Sequence, residues 1–159
     1  PAAPPPAEAR EAEPARQAGP ADAILAEFAR IAPLRTMRNL IDQAGPATLR
    51  DRFDLAMQVI PQIAEAQAWL RTAARDAGLT IEPREDRPGG PPALPLDAFH
   101  EACGPGFALI GAIAEVLAAE RDEAALQLIL MSLVDNEIAV SRELKEAMER
   151  AVTRLSAGA

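Results

Sequence analysis

Apolar side chains recur every three or four residues along most of this chain, which is the spacing of a helix with one buried face. The pattern predicts a helix over 22–32, with Pro33 after its end. A second helix is predicted over 34–44, where Gly45 and the proline that follows it supply the stop signal. The amino-terminal part of the chain therefore begins with two short amphipathic helices.

A long third helix is predicted over 48–78. Thr48 and Asp51 have the spacing of an N-terminal capping pair, and Gly78 stands where a left-handed C-terminal cap belongs. Pro61 lies inside this segment and lacks a backbone N–H, so we expect a kink or a break there.

The last third of the chain is the most hydrophobic. Segments 107–120 and 124–134 are apolar nearly all round, and such helices are buried on every side or against a partner. Because the rest of so small a chain offers little cover, we expect these helices to bind a second molecule. Segment 123–156 is either one helix about 50 Å long or two helices joined by a turn at Asp135 and Asn136.

This hydrophobicity predicts an interaction surface on the carboxy-terminal helices, formed by large apolar residues at helical spacing. The predicted surface residues are Phe107, Ile110, Ile113, Leu117, Leu126, Leu130, Leu133, Val140, Leu144, Met148 and Leu155. Self-association into a homodimer, or binding of another protein, is the expected use of this surface.

The domain organisation follows from two proline-rich segments. Residues 1–20 mix proline, alanine and charge without a large aliphatic side chain, and predict a disordered leader. Residues 82–95 carry too many helix breakers for a regular element and predict a loop or linker. We therefore expect an all-α protein of five to seven helices, with an N-terminal part over 21–81 and a C-terminal part over 96–156. In the latter, Asp97 is expected to cap a short helix that ends at Cys103.

Composition narrows the possible functions. The formal net charge of −8 disfavours general binding to nucleic acid or anionic membranes, which requires a positive surface. Cys103 is the only cysteine, so an intrachain disulfide is excluded, and we expect a cytoplasmic protein. No apolar run reaches the length of about 20 residues that spans a bilayer.

One segment resembles a nucleic-acid-binding motif. Residues 40–53 are similar to the helix-turn-helix of small bacterial repressors, which implies a DNA-binding regulator with a degenerate motif over 34–60. The resemblance would place Arg50 and Arg52 at the start of the recognition helix, with Arg35 and Arg38 near phosphates. The turn is shorter than in that family, so a helical corner with solvated arginines remains the favoured interpretation.

His100, the only histidine, opens a short His-Glu-Ala-Cys run that resembles the start of a histidine phosphotransfer helix. The resemblance implies a phosphorylated histidine, but Cys103 replaces the lysine of that family and Pro105 interrupts the helix. A structural zinc site needs four ligands, and no other histidine or cysteine exists, so no metal is expected. We therefore predict that His100 and Cys103 are structural residues.

The carboxylates give no acid and base pair. Glu115 lies within an apolar run, where it is expected to pair with an arginine, reach the surface or mark a pocket. Since no catalytic group or cofactor site is evident, we expect a non-enzymatic protein that acts in protein–protein interaction or assembly. A DNA-binding regulator and a phosphotransfer module are the second and third hypotheses.

Overall fold

The computed structural model describes residues 19–45, 47–82 and 93–158. The described residues form seven helices and two short strands. The helices are α1 (Pro20–Phe28), α2 (Ala32–Gln43), α3 (Leu49–Asp76), α4 (Leu96–Ala102), α5 (Gly104–Ala119), α6 (Glu123–Asp135) and α7 (Arg142–Ala157), and the strands are β1 (Thr80–Glu82) and β2 (Ala93–Pro95). The all-α prediction is confirmed. The predicted leader lies outside the described residues except for its last two, and Pro20 already begins α1.

The ends of α3 were predictable because local hydrogen bonds define them. At its start, the Thr48 hydroxyl accepts the N–H of Asp51 at 3.1 Å, and the Asp51 carboxylate accepts the N–H of Thr48 at 3.4 Å. At its end, Gly78 has φ +71°. The predicted break at Pro61 is absent, since this residue lies on the exposed side while Ile60 and Ile63 anchor the helix in the core.

The prediction of a loop or linker over 82–95 is wrong at both ends. β1 and β2 pair in parallel, with Thr80 opposite Ala93 and Ile81 opposite Leu94. The pairing satisfies backbone groups and places the Leu94 side chain, which is fully buried, in the core. Residues 83–92 lie outside the described residues.

The carboxy-terminal part departs from the prediction in one detail, the cap of α4. Pro95 occupies the N-cap of α4, so Asp97 lies in the first turn and does not cap the helix as predicted. The axes of α4 and α5 meet at 67° around Cys103. Of the two alternatives for 123–156, two helices is correct. The chain turns at Glu137, whose φ is +52°, and the Ile138 N–H donates to the Leu133 carbonyl at 3.1 Å.

α5 is apolar all round because it occupies the centre of the bundle, where it contacts α2, α3, α4, α6 and α7. It runs in the same direction as α7, since Gly111 lies beside Ala147 and Glu115, one turn further on, pairs with Arg150. A single apolar cluster includes residues from both predicted halves of the chain. The two halves therefore share one core.

The start of α5 packs so closely against α2 and α3 that Gly106 has no room for a side chain. A Cβ there would lie 2.9 Å from the Met37 sulfur and 3.0 Å from methyl groups of Val59 and Ile63. We expect Gly106→Ala to lower the free energy of unfolding by about 1–3 kcal/mol through overpacking. Urea denaturation measures this change. Gly104→Ala is the matched control, because a Cβ at Gly104 meets nothing within 4 Å; an equal loss in both variants would contradict the close packing.

No single helix in the described ranges is both long and apolar enough to cross a membrane, whereas the bent pair α4 and α5 together meets that test of length and composition.

Candidate functional site

The outer face of α6 is the most exposed apolar helix surface in the described part of the chain. Leu128, Met131 and Val134 are 53%, 57% and 73% exposed. Their spacing of three residues places them along one side of the helix, over a length of about 9 Å. These three residues, called the α6 face below, stand out because large aliphatic side chains normally turn inward on a helix that packs on a core.

The position of the α6 face is fixed from the opposite side of the helix. Leu126, Ile129 and Leu133 are buried in the core, so Leu128, Met131 and Val134, which lie on the other side of the helix, face outward. The Asp122 carboxylate caps the helix by accepting the N–H of Ala125 at 3.1 Å. No charged residue occurs from Ala124 to Val134. The α6 face is therefore rigidly presented and uncharged.

The structure places the eleven residues of the predicted interaction surface differently from the expectation. Seven are at most 3% exposed and belong to the core: Phe107, Ile110, Ile113, Leu117, Leu126, Leu133 and Leu144. The other four are partly buried and pack against it: Leu130, Val140, Met148 and Leu155. The premise that the rest of the chain cannot cover 107–134 is thus wrong for the large apolar side chains of α5 named above and for the inner side of α6, because neighbouring helices cover them.

Sequence reasoning missed the α6 face, although its signal is present. Nearly all residues of 124–134 are apolar, so an apolar stripe with helical spacing can be drawn on more than one side of the helix. A helix with a single partner surface needs only one apolar stripe. The surplus stripe on α6 was visible, but which stripe faces the core depends on how α6 packs on α3 and α5.

A second apolar surface lies between the α2–α3 corner and α5. It is a half-open groove of about 640 Å³. Its apolar lining comes from three helices and their connection: Leu40, Ile41, Ala44, Gly45, Ala47, Leu49, Leu55, Leu109, Ala112, Ile113 and Val116. Gln43, Asp51, Arg52 and Gln58 supply its polar groups. This groove, called the α2–α3–α5 groove below, has the volume and composition typical of a binding pocket.

His100 has a defined structural contact. Its Nε2 lies 3.0 Å from the Ala139 carbonyl oxygen, to which it donates in the tautomer that carries the proton there. Gln67, a buried residue of α3, accepts the Ala139 N–H at 2.7 Å and donates to the Glu137 carbonyl at 2.8 Å. Side chains from α3 and α4 thereby hold the connection between α6 and α7. Phosphorylation of His100 at Nε2 would require this hydrogen bond to break.

Glu115 pairs with an arginine, which is one of the outcomes that the sequence left open. Its Oε1 accepts from Arg150 Nε at 2.8 Å across the α5–α7 contact. The hydrogen bond from Arg150, followed by the charges of Arg150 and Arg154, outweighs desolvation and lowers the pKa of Glu115 below its usual value. Glu115 lines a cavity of about 560 Å³ with His100 and Arg150. A carboxylate held ionised by an arginine is a poor general acid or base at neutral pH.

Cys103 is fully buried, and burial raises the pKa of its thiol to about 12. A neutral, enclosed thiol is a weak nucleophile and a weak metal ligand. Among the described residues, no group of three or more histidine, cysteine or acidic side chains is arranged to hold a metal ion.

The arginines of the helix-turn-helix resemblance are exposed, at Arg35, Arg38, Arg50 and Arg52. Arg50 Nε lies 3.3 Å from Asp54 Oδ1, within its own helix. Arg52 lines the α2–α3–α5 groove. Of the four, Arg50 is thus held in an ion pair and Arg52 lies at a groove, while Arg38 Nη2 donates to the Ala29 carbonyl at 3.5 Å; DNA binding stays a hypothesis.

No protein-family model matches the chain, and neither a curated protein nor a solved structure matches it.

Proposed function

We propose that this chain is a non-catalytic assembly module that associates with a second copy of itself, in the first instance as a homodimer, through the α6 face. The observation that carries the proposal is the exposure of Leu128, Met131 and Val134 on a helix whose other side is fixed in the core. Contiguous apolar surface of this kind on a folded domain is typical of an interaction site.

Charge supports a partner surface that is locally neutral at the point of contact. A molecule with a net charge of −8 repels a second copy, so any contact between two copies has to involve a locally neutral surface. The α6 face satisfies this condition because charged residues begin only at its ends, with Glu123 and Asp135. A basic or acidic partner would find no complementary charge along its length.

The chemistry of the remaining candidates supports a non-catalytic role. Glu115 is paired with Arg150, the His100 Nε2 faces a backbone carbonyl, and the Cys103 thiol is buried with a raised pKa. None of these groups is presented as a free acid, base or nucleophile. The cytoplasm remains the compartment that we propose, since a lone thiol is suited to a reducing environment.

The proposal is tested by sedimentation equilibrium of the wild-type chain and of Met131→Glu. We expect concentration-dependent self-association of the wild type, weakened about tenfold or more by the charge at the centre of the α6 face. Val152→Glu is the matched control, because Val152 is also an exposed aliphatic residue, 46% exposed, but lies on α7. It should associate like the wild type.

Two results would contradict the proposal. One is a wild-type chain that stays monomeric up to millimolar concentration. The other is an equal effect of Met131→Glu and Val152→Glu, which would show a general response to added negative charge. Circular dichroism of each variant verifies that the helical fold is retained.

A further inference from the structure

We infer that the surface which receives the α6 face is the α2–α3–α5 groove of the second copy, so that two chains exchange face and groove reciprocally. This inference rests on the proposed self-association and adds the identity of the receiving surface. The alternative arrangement, in which two α6 faces pack directly on each other, uses only one kind of surface.

The two surfaces are complementary in shape. The α6 face is the convex outer side of a helix and carries three exposed apolar side chains close to one turn apart, and a helix with an apolar side can dock into an apolar groove. The groove is concave, half open and lined by aliphatic side chains from three helices. Its lining includes no residue of α6, and α6 is held in the core by its inner side. A chain therefore cannot fill its own groove with its own α6 face.

Charge is complementary as well. The groove carries the Arg52 guanidinium, and the α6 face ends at the exposed Asp135 carboxylate. Asp51, the other charged residue of the groove, is engaged in the capping of α3. A direct pairing of two α6 faces would contain no cation, because α6 carries Glu123 and Asp135 but no lysine, arginine or histidine.

The area needed for a stable dimer also favours exchange. A specific interface buries about 800 Å² on each partner. Leu128, Met131 and Val134 would bury less area than this if they packed only on the same three residues of a second copy. When each chain contributes both a face and a groove, every chain takes part in two contacts, and the buried area is roughly doubled. A two-fold arrangement of this kind also closes the assembly at the dimer.

Mixing two complementary variants tests the inference. Ala112→Glu places a carboxylate at an exposed position of the groove and keeps the α6 face intact. Met131→Glu blocks the face and keeps the groove intact. We expect each variant alone to associate about tenfold or more weakly than the wild type, and an equimolar mixture to form a complex of two chains through the one remaining face and groove. Ala108→Glu is the control, since Ala108 is exposed one turn earlier on α5 and outside this groove.

The outcomes separate the inference from the proposal on which it rests. If Ala112→Glu associates like the wild type while Met131→Glu does not, the α6 face assembles without the groove and the inference is overturned. If the wild type does not associate, the proposed function fails first. A mixture of the two variants that forms no complex would also overturn the inference. So would native mass spectrometry in which the wild-type monomer retains a small apolar molecule, because the groove would then be a pocket for a small ligand. Formation of the mixed complex shows at the same time that both variants are folded.

Discussion

Phe99→Ala should cause the largest loss of stability of any single truncation considered for this chain, about 3–5 kcal/mol in the free energy of unfolding. Phe99 is fully buried on the short helix α4. Its ring contacts Phe107 edge to face, with centroids 5.9 Å apart, and it belongs to the cluster that joins both parts of the chain. Removal of the ring leaves a cavity where α4 and β2 are attached to the rest of the bundle.

Chemical denaturation at low protein concentration measures this effect on the monomer. Leu128→Ala is the matched control, because it removes a large aliphatic side chain from the exposed α6 face and should change the stability of the monomer by about 0.5 kcal/mol or less. The same control variant should weaken self-association. Similar losses of monomer stability in the two variants would contradict the assignment of Phe99 to the core and Leu128 to the surface.

Gln67→Ala should have the second largest effect, a loss of about 2–4 kcal/mol in the free energy of unfolding from lost packing and an unsatisfied hydrogen-bond donor. Gln67 is 5% exposed and forms two hydrogen bonds with the backbone between α6 and α7. Its loss creates a cavity and also removes the partner of the Ala139 N–H, which is half-buried, and a donor left without an acceptor there is costly. We also expect faster amide hydrogen exchange over 136–141, because these side-chain contacts hold that connection in place.

Gln58→Ala is the control for this experiment. Gln58 is exposed on the same helix, and its amide donates to the carbonyl of Asp54 within α3. We expect a change of about 0.5 kcal/mol or less. If Gln67→Ala is equally mild, or if the exchange rates over 136–141 do not change, the clamp formed by Gln67 does not stabilise the fold.

The elements that were predictable from the sequence are those defined by local chemistry. The Thr48 and Asp51 capping pair and the left-handed Gly78 each depend on residues a few positions apart. The turn after Asp135 is local as well, but the sequence left it as one of two alternatives. The strand formed by Ala93–Pro95 was missed because its partner, Thr80–Glu82, is distant in the sequence and proline argues against strands. Pairing of the backbone and burial of Leu94 outweighed the local preference.

The α6 face lies in a segment that the sequence singled out, but none of its three residues was among those chosen for the predicted surface. The excess of apolar residues in 124–134 correctly marks α6 as unusual. The chosen residues, such as Leu126 and Leu133, are nevertheless in the core. Helical periodicity gives the angle between two side chains but not the direction in which the core lies when both sides of the helix are apolar. That direction depends on the packing of α6 against α3 and α5.

The measurement that tests the central claim most directly is methyl NMR of the chain labelled at its four methionines, recorded over a series of concentrations. Met131 is 57% exposed on the α6 face, whereas Met37 is fully buried, and Met57 and Met148 are partly buried outside this face. Self-association through the α6 face predicts that the Met131 methyl signal shifts or broadens as concentration rises, while the Met37 signal stays constant. A Met131 signal that remains unchanged up to millimolar concentration, or that moves no more than the signal of Met37, would contradict assembly through this face.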